Sequence, residues 1–578
     1  MIMRAVINSI FIKSLKSKIL FVIFHFAILI STCSLGQSNE KPLLIVHDRA
    51  IPKDEFLYYF QKSNQEINEQ NIAGYLEPFI NFQLKLADAR EERVQQNIAF
   101  INELTEYRLQ LAAPYLTDKE KEKELALEAY ERLKFEVKAS YILIKLNPDA
   151  RPEDTLKAYA KAVQIRNRIL GGEAFDQTDI TESDNYQIIR SSGKFDYFTA
   201  FQSEYPFETA VYKMKPGEIS MLVRSGEGYY IIQMNDKRKA GGELKTAHID
   251  KLSGRRDLPS FEEMEPEIIN LIKEAKDERN QIIEDSFVEK LKKSWRFQEN
   301  PDALEKICNF ADERVYTGNW IAPANQSFNE SLFFIDGKGI SQTDFIEFMQ
   351  NFKALNKNLS VRDYIFSLYK HFVSKRLILY ENYKLNEKYP EFRFQYGEYR
   401  DAMLLDQITK KRVWFKADSD RKGLEDFFAE NRENYKLKES LSAIIVTSPY
   451  KKEAKHISKR FSKSLNRGEG DIHKILNQLD NESGSHQLTL EEGIFAKGDN
   501  PLIDQIKWEA GVSKIQTSGN KYYFVIVENI VEPKYQKLEE VSDKVQNDYQ
   551  NYLMENWLKE LKYKYRVQIN GDVLSTIK

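Results

Sequence analysis

Two runs of the chain share one pattern of apolar and polar positions. Leu43-Leu-Ile-Val-His-Asp-Arg-Ala-Ile51 and Leu332-Phe-Phe-Ile-Asp-Gly-Lys-Gly-Ile340 each read as an apolar strand followed by a polar turn. Both continue without a gap into a helix start, Pro52-Lys-Asp-Glu-Phe56 in one and Ser341-Gln-Thr-Asp-Phe345 in the other. Aromatics then recur at helical spacing, Phe56, Tyr59 and Phe60 against Phe345, Phe348 and Phe352. A second pair keeps the same order. Leu291-Lys-Lys-Ser-Trp-Arg-Phe-Gln298 matches Leu561-Lys-Tyr-Lys-Tyr-Arg-Val-Gln568, and the likeness runs on to Leu304 and Leu574. Upstream of these, Phe261-Glu-Glu-Met264 and Leu538-Glu-Glu-Val541 each open a charged helix. The pattern predicts two tandem copies, about 43–307 and 332–577, each with terminal helices flanking a middle domain.

In the first copy, Thr117-Asp-Lys-Glu120 predicts a capping box with Thr117 as N-cap and Glu120 at the third helical position. The helix toward Lys134 reads as a solvated amphipathic one. The middle domain opens on an apolar strand at Val137–Leu146. A helix follows at Glu153–Leu170, with Leu156, Ala160, Val163 and Leu170 read as its apolar face, ended by Gly171-Gly172. Lys215-Pro-Gly-Glu-Ile-Ser220 is a turn entering a strand, and Tyr229–Met234 is the last strand. Residues 437–530 repeat this in fainter form: strand Leu441–Val446, helix Ala454–Leu465, turn Trp508-Glu-Ala-Gly-Val-Ser513 and strand Lys521–Ile526.

Composition narrows the class. At 578 residues the chain has room for about four domains. Hydrophobic residues at 42% and charged residues at 30% are ordinary for a globular protein. A net charge of -3 gives no basic footprint for nucleic acid. The first 36 residues stand apart. Arg4, Lys13, Lys16 and Lys18 precede the apolar run Ile19–Ile30, which is too short to span a membrane, and Ser34-Leu-Gly36 offers small residues for cleavage. This predicts a secretory signal peptide and a periplasmic protein. A lipoprotein signal at Cys33 is disfavoured by Thr32 in front of it. No later segment is apolar enough to cross a membrane. With Cys33 removed, Cys308 has no intrachain partner and reads as a buried apolar residue.

Other chemistries find little footing. None of the seven histidines pairs at i, i+4 with another and no cysteine cluster accompanies them, so no metal site or cofactor is predicted. Gly468-Glu-Gly470 lacks the Lys and Ser/Thr of a phosphate loop, and there is no Gly-x-Ser-x-Gly elbow. Ala247-His248-Ile249 reads as the last strand's partner or the remnant of a lost domain.

Five segments in order carry a resemblance: Ala-Ser-Tyr-Ile-Leu-Ile (139–144), Gly-Glu-Ala-Phe (172–175), Pro-Phe-Glu-Thr-Ala (206–210), Pro-Gly-Glu-Ile-Ser (216–220) and Gly-Tyr-Tyr-Ile-Ile (228–232). Together they resemble the parvulin family of peptidyl-prolyl isomerases. The resemblance implies a small α/β domain with a shallow cleft for a proline-containing peptide. It also implies site residues. Phe207 matches the pocket Phe and Phe198 a second aromatic wall, Ser203 stands where the family has Met, and Asp184 or Asn185 falls near the Cys/Asp position. Tyr141 and Tyr230 replace the paired histidines, and Ser192-Gly-Lys-Phe-Asp196 replaces the usual Gly-rich turn. The departures fall on the cleft, which implies weak isomerase activity or none. Each ring taken alone reads equally as a core aromatic. In the second copy the first histidine position is Ala443, and the domain reads as retained for shape.

The whole predicts an α+β chain of helical arms flanking two parvulin-like α/β domains, internally duplicated. Its parts are a signal peptide (1–36), an N-terminal strand and helical arm (37–134), a parvulin-like domain with a degenerate cleft (135–238), a helical connector (239–328), a second arm (329–436), a second, strongly degenerate parvulin-like domain (437–531) and a C-terminal helix and strand (532–578). Exported proteins so arranged resemble the SurA and PrsA chaperone families. That resemblance implies unfolded polypeptide clients, outer-membrane proteins foremost. A working isomerase that tolerates tyrosines, and a fixed subunit of an envelope secretion or outer-membrane assembly machine, are the alternatives.

Overall fold

The computed structural model describes residues 41–147, 150–182, 197–240, 258–352, 359–465 and 488–577. The predicted export segment 1–36, His248 and Gly468-Glu-Gly470 lie outside these residues. The chain is of mixed helix and sheet. It opens with the hairpin β1 (Leu44–Val46) and β2 (Arg49–Ile51), then α1 (Lys53–Gln61), α2 (Glu69–Glu91), α3 (Ile98–Ala112) and α4 (Lys119–Leu133). The first middle domain comprises β3 (Phe135–Lys145), α5 (Pro152–Leu170), α6 (Phe175–Glu182), α7 (Tyr205–Lys213), β4 (Val223–Arg224) and β5 (Gly228–Lys239). Next come α8 (Phe261–Ala275), α9 (Glu278–Ser294), β6 (Gln298–Glu299) and α10 (Pro301–Phe310). A second hairpin, β7 (Ser331–Ile335) and β8 (Lys338–Ser341), leads into α11 (Gln342–Gln350), α12 (Val361–Lys388) and α13 (Pro390–Thr409). The second middle domain is built on the paired strands Ser440–Ser448 and Lys521–Val531, and the chain ends with a long helix, Ser542–Lys564, and a strand, Val567–Ile569.

By contacts the chain forms two compact units, Met1–Asn102 with Glu398–Lys578, and Glu103–Gly397. Each contains a hairpin completed by a third strand from a distant part of the sequence. In the first unit the C-terminal strand pairs with β1, Leu44 opposite Ile569. In the second, β6 pairs with β7, Gln298 opposite Phe334. The two sheets are therefore built alike, hairpin plus one strand arriving from after a long helix. The second hairpin turns at Asp336-Gly337, both at positive φ (50° and 78°), as a two-residue turn matched to strand twist requires. Ser341 and Asp344 then form a reciprocal capping box on α11.

The first middle domain has a three-stranded sheet ordered β3-β5-β4, with β3 and β5 antiparallel along their full length. Successive side chains point to opposite faces. Ile142, Ile144 and Ile231 pack under α5, while Tyr141, Leu143, Tyr230 and Ile232 pack on the side of α7. The structure corrects two local expectations here. The sheet-facing residues of α5 are Ala158, Ala162, Ile165 and Ile169, whereas Leu156 and Leu170 are exposed. The helix carries two apolar stripes, and the one that includes Leu156 faces away from the sheet. At α4 the N-cap is Asp118, not Thr117. The Asp118 carboxylate accepts from the backbone of Glu120 and Lys121 and also from Ser286 and Lys290, so its charge is used twice.

In the unit that contains α2 and the C-terminal helix, one buried carboxylate joins the two. Asp88 on α2 accepts from the Trp557 indole at 2.9 Å and from Arg412 at 2.8 and 3.0 Å. Replacing Asp88 by Ala takes the acceptor from the Trp557 indole and one of two carboxylates from Arg412, which keeps Glu92, and the loss for this unit is about 2–4 kcal/mol. Trp557→Phe removes one hydrogen bond to a charge, about 1.5–3 kcal/mol. Hydrogen exchange of α2 and the C-terminal helix is the readout, faster in both variants and fastest in Asp88→Ala.

Candidate functional site

The sequence places Tyr141 on β3 and Tyr230 on β5, and the register sets Tyr230 opposite Leu143 and Tyr141 opposite Ile232. The two tyrosines are thus diagonal neighbours on one face. Their rings meet edge to face with centroids 5.3 Å apart. Phe207, from the first turn of α7, touches both, at 5.4 Å from Tyr141 and 5.2 Å from Tyr230. Phe198 lies 6.0 Å from Phe207 and is tied to the sheet by a pair of backbone bonds with Val137, 2.9 and 3.0 Å. Four of the predicted site residues therefore form one cluster. It is a closed cluster: Tyr141 and Tyr230 are each 7% exposed and Phe207 only 2%. Edge-to-face pairs of this kind add about 0.5–1.5 kcal/mol each beyond burial, so opening the rings for a ligand has a definite cost.

Ser203 lies just before Glu204, the residue that caps α7. Among the described residues its buried hydroxyl oxygen has no hydrogen-bond partner, and the same holds for Glu204 Oε2. Asp184, Asn185 and Ser192-Gly-Lys-Phe-Asp196 lie outside the described residues. Around Tyr230 the polar groups are acidic. Its hydroxyl faces Glu227 Oε2 at 3.4 Å. Burial pushes the phenol up from its ordinary range, and the charges of Glu204 and Glu227 add to the push. Burial likewise raises the Glu204 carboxyl; a hydrogen bond with Ser225 opposes this, and Glu227 and Glu278 reinforce it.

Sequence reasoning missed the residue beneath the cluster. Glu208, one residue after Phe207, is fully buried. It accepts from Arg132 on α4 at 2.7 Å, from Arg279 on α9 at 2.6 Å and from the Phe201 backbone at 2.9 Å. Burial would pull Arg279 down, but Glu208 and Asp277 outweigh it and hold the guanidinium above its usual value. Arg279 also lies over the rings of Tyr205 (4.3 Å) and Phe201 (4.6 Å). Arg132 on the apolar face of α4, beside Ala129 and Leu133, was the available signal: a charge at a core position needs a partner. One partner, Glu128, lies a helical turn before it, and the buried one, Glu208, lies 76 residues away, beyond the reach of local pattern.

No group of side chains suited to a metal ion occurs among the described residues. The rings are closed on one another, and the polar groups beside them are Glu204 and Glu227. Rotation about an X–Pro bond needs no nucleophile, since no bond breaks.

Two outcomes test this geometry. Glu208→Gln removes the charge that two buried guanidiniums share, leaving Arg279 with Asp277 and Arg132 with Glu128, and destabilises the first middle domain by about 1.5–3 kcal/mol, read from urea unfolding. Glu204→Gln acts in the opposite direction. A carboxyl raised in the folded state costs stability while ionised, and folding gains as pH falls through the raised value toward the ordinary one. The variant is therefore more stable than the wild type in alkaline buffer, and lacks the wild type's gain on acidification, in thermal melts across pH.

The PPIC-type PPIASE domain family matches residues 125–238. Chaperone SurA of Thiobacillus denitrificans is 29% identical over 159 residues, covering 28% of this chain and 33% of that one. Foldase protein PrsA 2 of Bacillus cereus is 30% identical over 103 residues, covering 18% of this chain and 32% of its own. The chain thus spans about a third of the length of the curated relatives it matches. Among solved structures, the PrsA peptidylprolyl isomerase of Bacillus anthracis matches at 20% identity over 41% of this chain and 96% of that one, with a TM-score of 0.21.

Proposed function

We propose that this chain, whose residues 125–238 are a PpiC-type parvulin domain, is an exported SurA-like chaperone that holds unfolded polypeptides, with isomerase activity weak or absent. The observation that carries the reading is the closed ring cluster. Proline isomerisation needs an open apolar seat for the ring, and here Phe207 is enclosed by Tyr141, Tyr230 and Phe198. Phenols in place of both family histidines also put bulk where an imidazole network would shape the cleft. The scaffold is kept while the seat is filled, which fits holding better than turnover.

The clients on this reading are unfolded outer-membrane or secreted proteins, and the location is the periplasm, from the export pattern of residues 1–36. No helix among the described residues is long and apolar enough to cross a membrane. The partition into arms and two parvulin-like domains belongs to the same reading. The second domain supports it: on the face matching the ring cluster it carries Leu441, Ala443 and Ile445 with Ile503 and Val525, an aliphatic packing around Tyr523.

A second reading, a working isomerase, draws on Ser203 Oγ and Glu204 Oε2. Both are buried acceptors without a partner next to the ring cluster, and groups of that kind could serve a twisted amide.

One purified sample decides between them. Isomerisation of a model X–Pro peptide and suppression of aggregation of an unfolded outer-membrane protein are measured together. The chaperone reading expects suppression at stoichiometric amounts and a peptide rate within about tenfold of the uncatalysed one. Fast isomerisation abolished by Phe207→Ala would establish the second reading instead, and absence of both activities sinks both.

A further inference from the structure

The outward stripe of α5 builds a second aromatic surface, apart from the ring cluster. Pro152, Leu156 and Tyr159 follow at i, i+4 and i+7, so they line one face of the helix. That face is turned from the sheet: Leu156 is 68% exposed and Tyr159 46%. Tyr229 meets it from β5. Because Tyr229 and Tyr230 are consecutive on a strand, one ring serves each side of the sheet. Pro152, Leu156, Tyr159, Tyr229 and Leu359 line an open groove of about 330 Å³. The two tyrosine rings meet edge to face at 5.6 Å, and the Arg224 guanidinium lies over Tyr229 at 5.2 Å.

We infer that this groove docks a proline-containing extended segment of an unfolded polypeptide. The chemistry of the lining selects that occupant. The walls are ring faces, a leucine and a proline, which suit pyrrolidine rings. Among the described residues the polar groups of the lining are two phenols and the Thr155 hydroxyl, and none is a carboxylate. Among the described residues neither phenol has a hydrogen-bond partner. The groove therefore offers hydroxyl donors to acceptors on an occupant, while the Arg224 guanidinium over Tyr229 is held by the Ser225 and Gly228 carbonyls. A polyproline II chain has no internal hydrogen bonds, lacks N–H groups at its prolines and presents free carbonyl oxygens. It also arrives preformed, so little chain entropy is lost on docking. The inference rests on the reading of the chain as a holder of unfolded polypeptides and names a feature of the segments held. It puts the proline grip on the α5 side of the sheet, opposite the closed ring cluster.

The test uses the full-length mature protein and a fluorescein-labelled, end-blocked peptide, Ala-Pro-Pro-Leu-Pro-Pro, with a control in which alanine replaces each proline. Fluorescence anisotropy reads the affinity. Tyr159→Ala, at an exposed position, is expected to weaken binding about tenfold, and Tyr229→Phe, which deletes one hydroxyl, about threefold. Leu170→Ala, at an exposed position of the same helix outside the groove, leaves affinity within about twofold. The inference is overturned if Tyr159→Ala binds like the wild type, if the alanine control binds equally well, or if the wild type does not bind. Loss of binding in Phe207→Ala but not Tyr159→Ala overturns it too, and places the proline in the ring cluster. Aggregation suppression by the same variants separates the two claims. A wild type that suppresses aggregation without binding the peptide sinks the groove alone, whereas a wild type that does neither also sinks the chaperone reading.

Discussion

A single buried carboxylate fixes the setting of the parvulin domain. Glu208 sits in α7, one residue from the centre of the ring cluster, and receives guanidiniums from α4 and α9. Those helices come from before and after the domain in sequence. The charge therefore ties domain, preceding arm and following connector at one point. Buried ion pairs of this sort add little net stability against an apolar alternative, because desolvation consumes most of the attraction. What they add is specificity. Three elements can be packed together in many ways by hydrophobic contact, but only one arrangement leaves no buried charge unpaired. The aromatic faces of Tyr205 and Phe201 complete the surround of Arg279, so its only unshielded partners are the carboxylates.

The other unit solves the same problem with Asp88. There too a carboxylate on a long helix takes an arginine and a second donor from elements distant in sequence. Each unit also closes a hairpin with one strand that follows a long helix. Hairpins of three to five residues per strand are marginal alone. The third strand and the underlying helix bury their apolar face, Leu44, Val46 and Ile51 in one case, Leu332, Phe333 and Ile335 in the other. The repeated device explains why the sequence likeness is strongest at hairpins and terminal strands: these positions have the fewest alternative residues that work.

Much of this was legible in the chain. Alternation and the Asp336-Gly337 turn mark the hairpins, because positive φ at two successive positions is nearly reserved for such residues. The motifs at 139–144, 206–210 and 228–232 bring Tyr141, Phe207 and Tyr230 together through the family resemblance that they carry. Three things were not legible. The apolar face of α5 was misread because the helix has two stripes, and hydrophobicity alone does not say which one meets the sheet. The cap of α4 shifted by one residue because Asp118 finds Ser286 and Lys290, partners far along the chain. The roles of Glu204 and Glu208 hidden in Glu204-Tyr-Pro-Phe-Glu208 depend on depth, which a five-residue motif does not carry.

The exchange of two histidines for two tyrosines is best understood through volume and charge together. An imidazole pair is small and dipolar, and leaves space for a ligand ring above it. Two phenols are larger and pack on each other, gaining ring contact, while the Tyr230 hydroxyl stays near Glu227 and Glu204. Burial and both acids then disfavour ionisation of the Tyr230 phenol, which stays a neutral donor. The site loses the pH response that histidine supplies and keeps the raised Glu204 carboxyl as a titrating group. It gains a rigid, apolar wall that holds α7 and, through Glu208, both flanking helices. The ring cluster and Glu208 thus form one packed joint between the domain and its flanking helices.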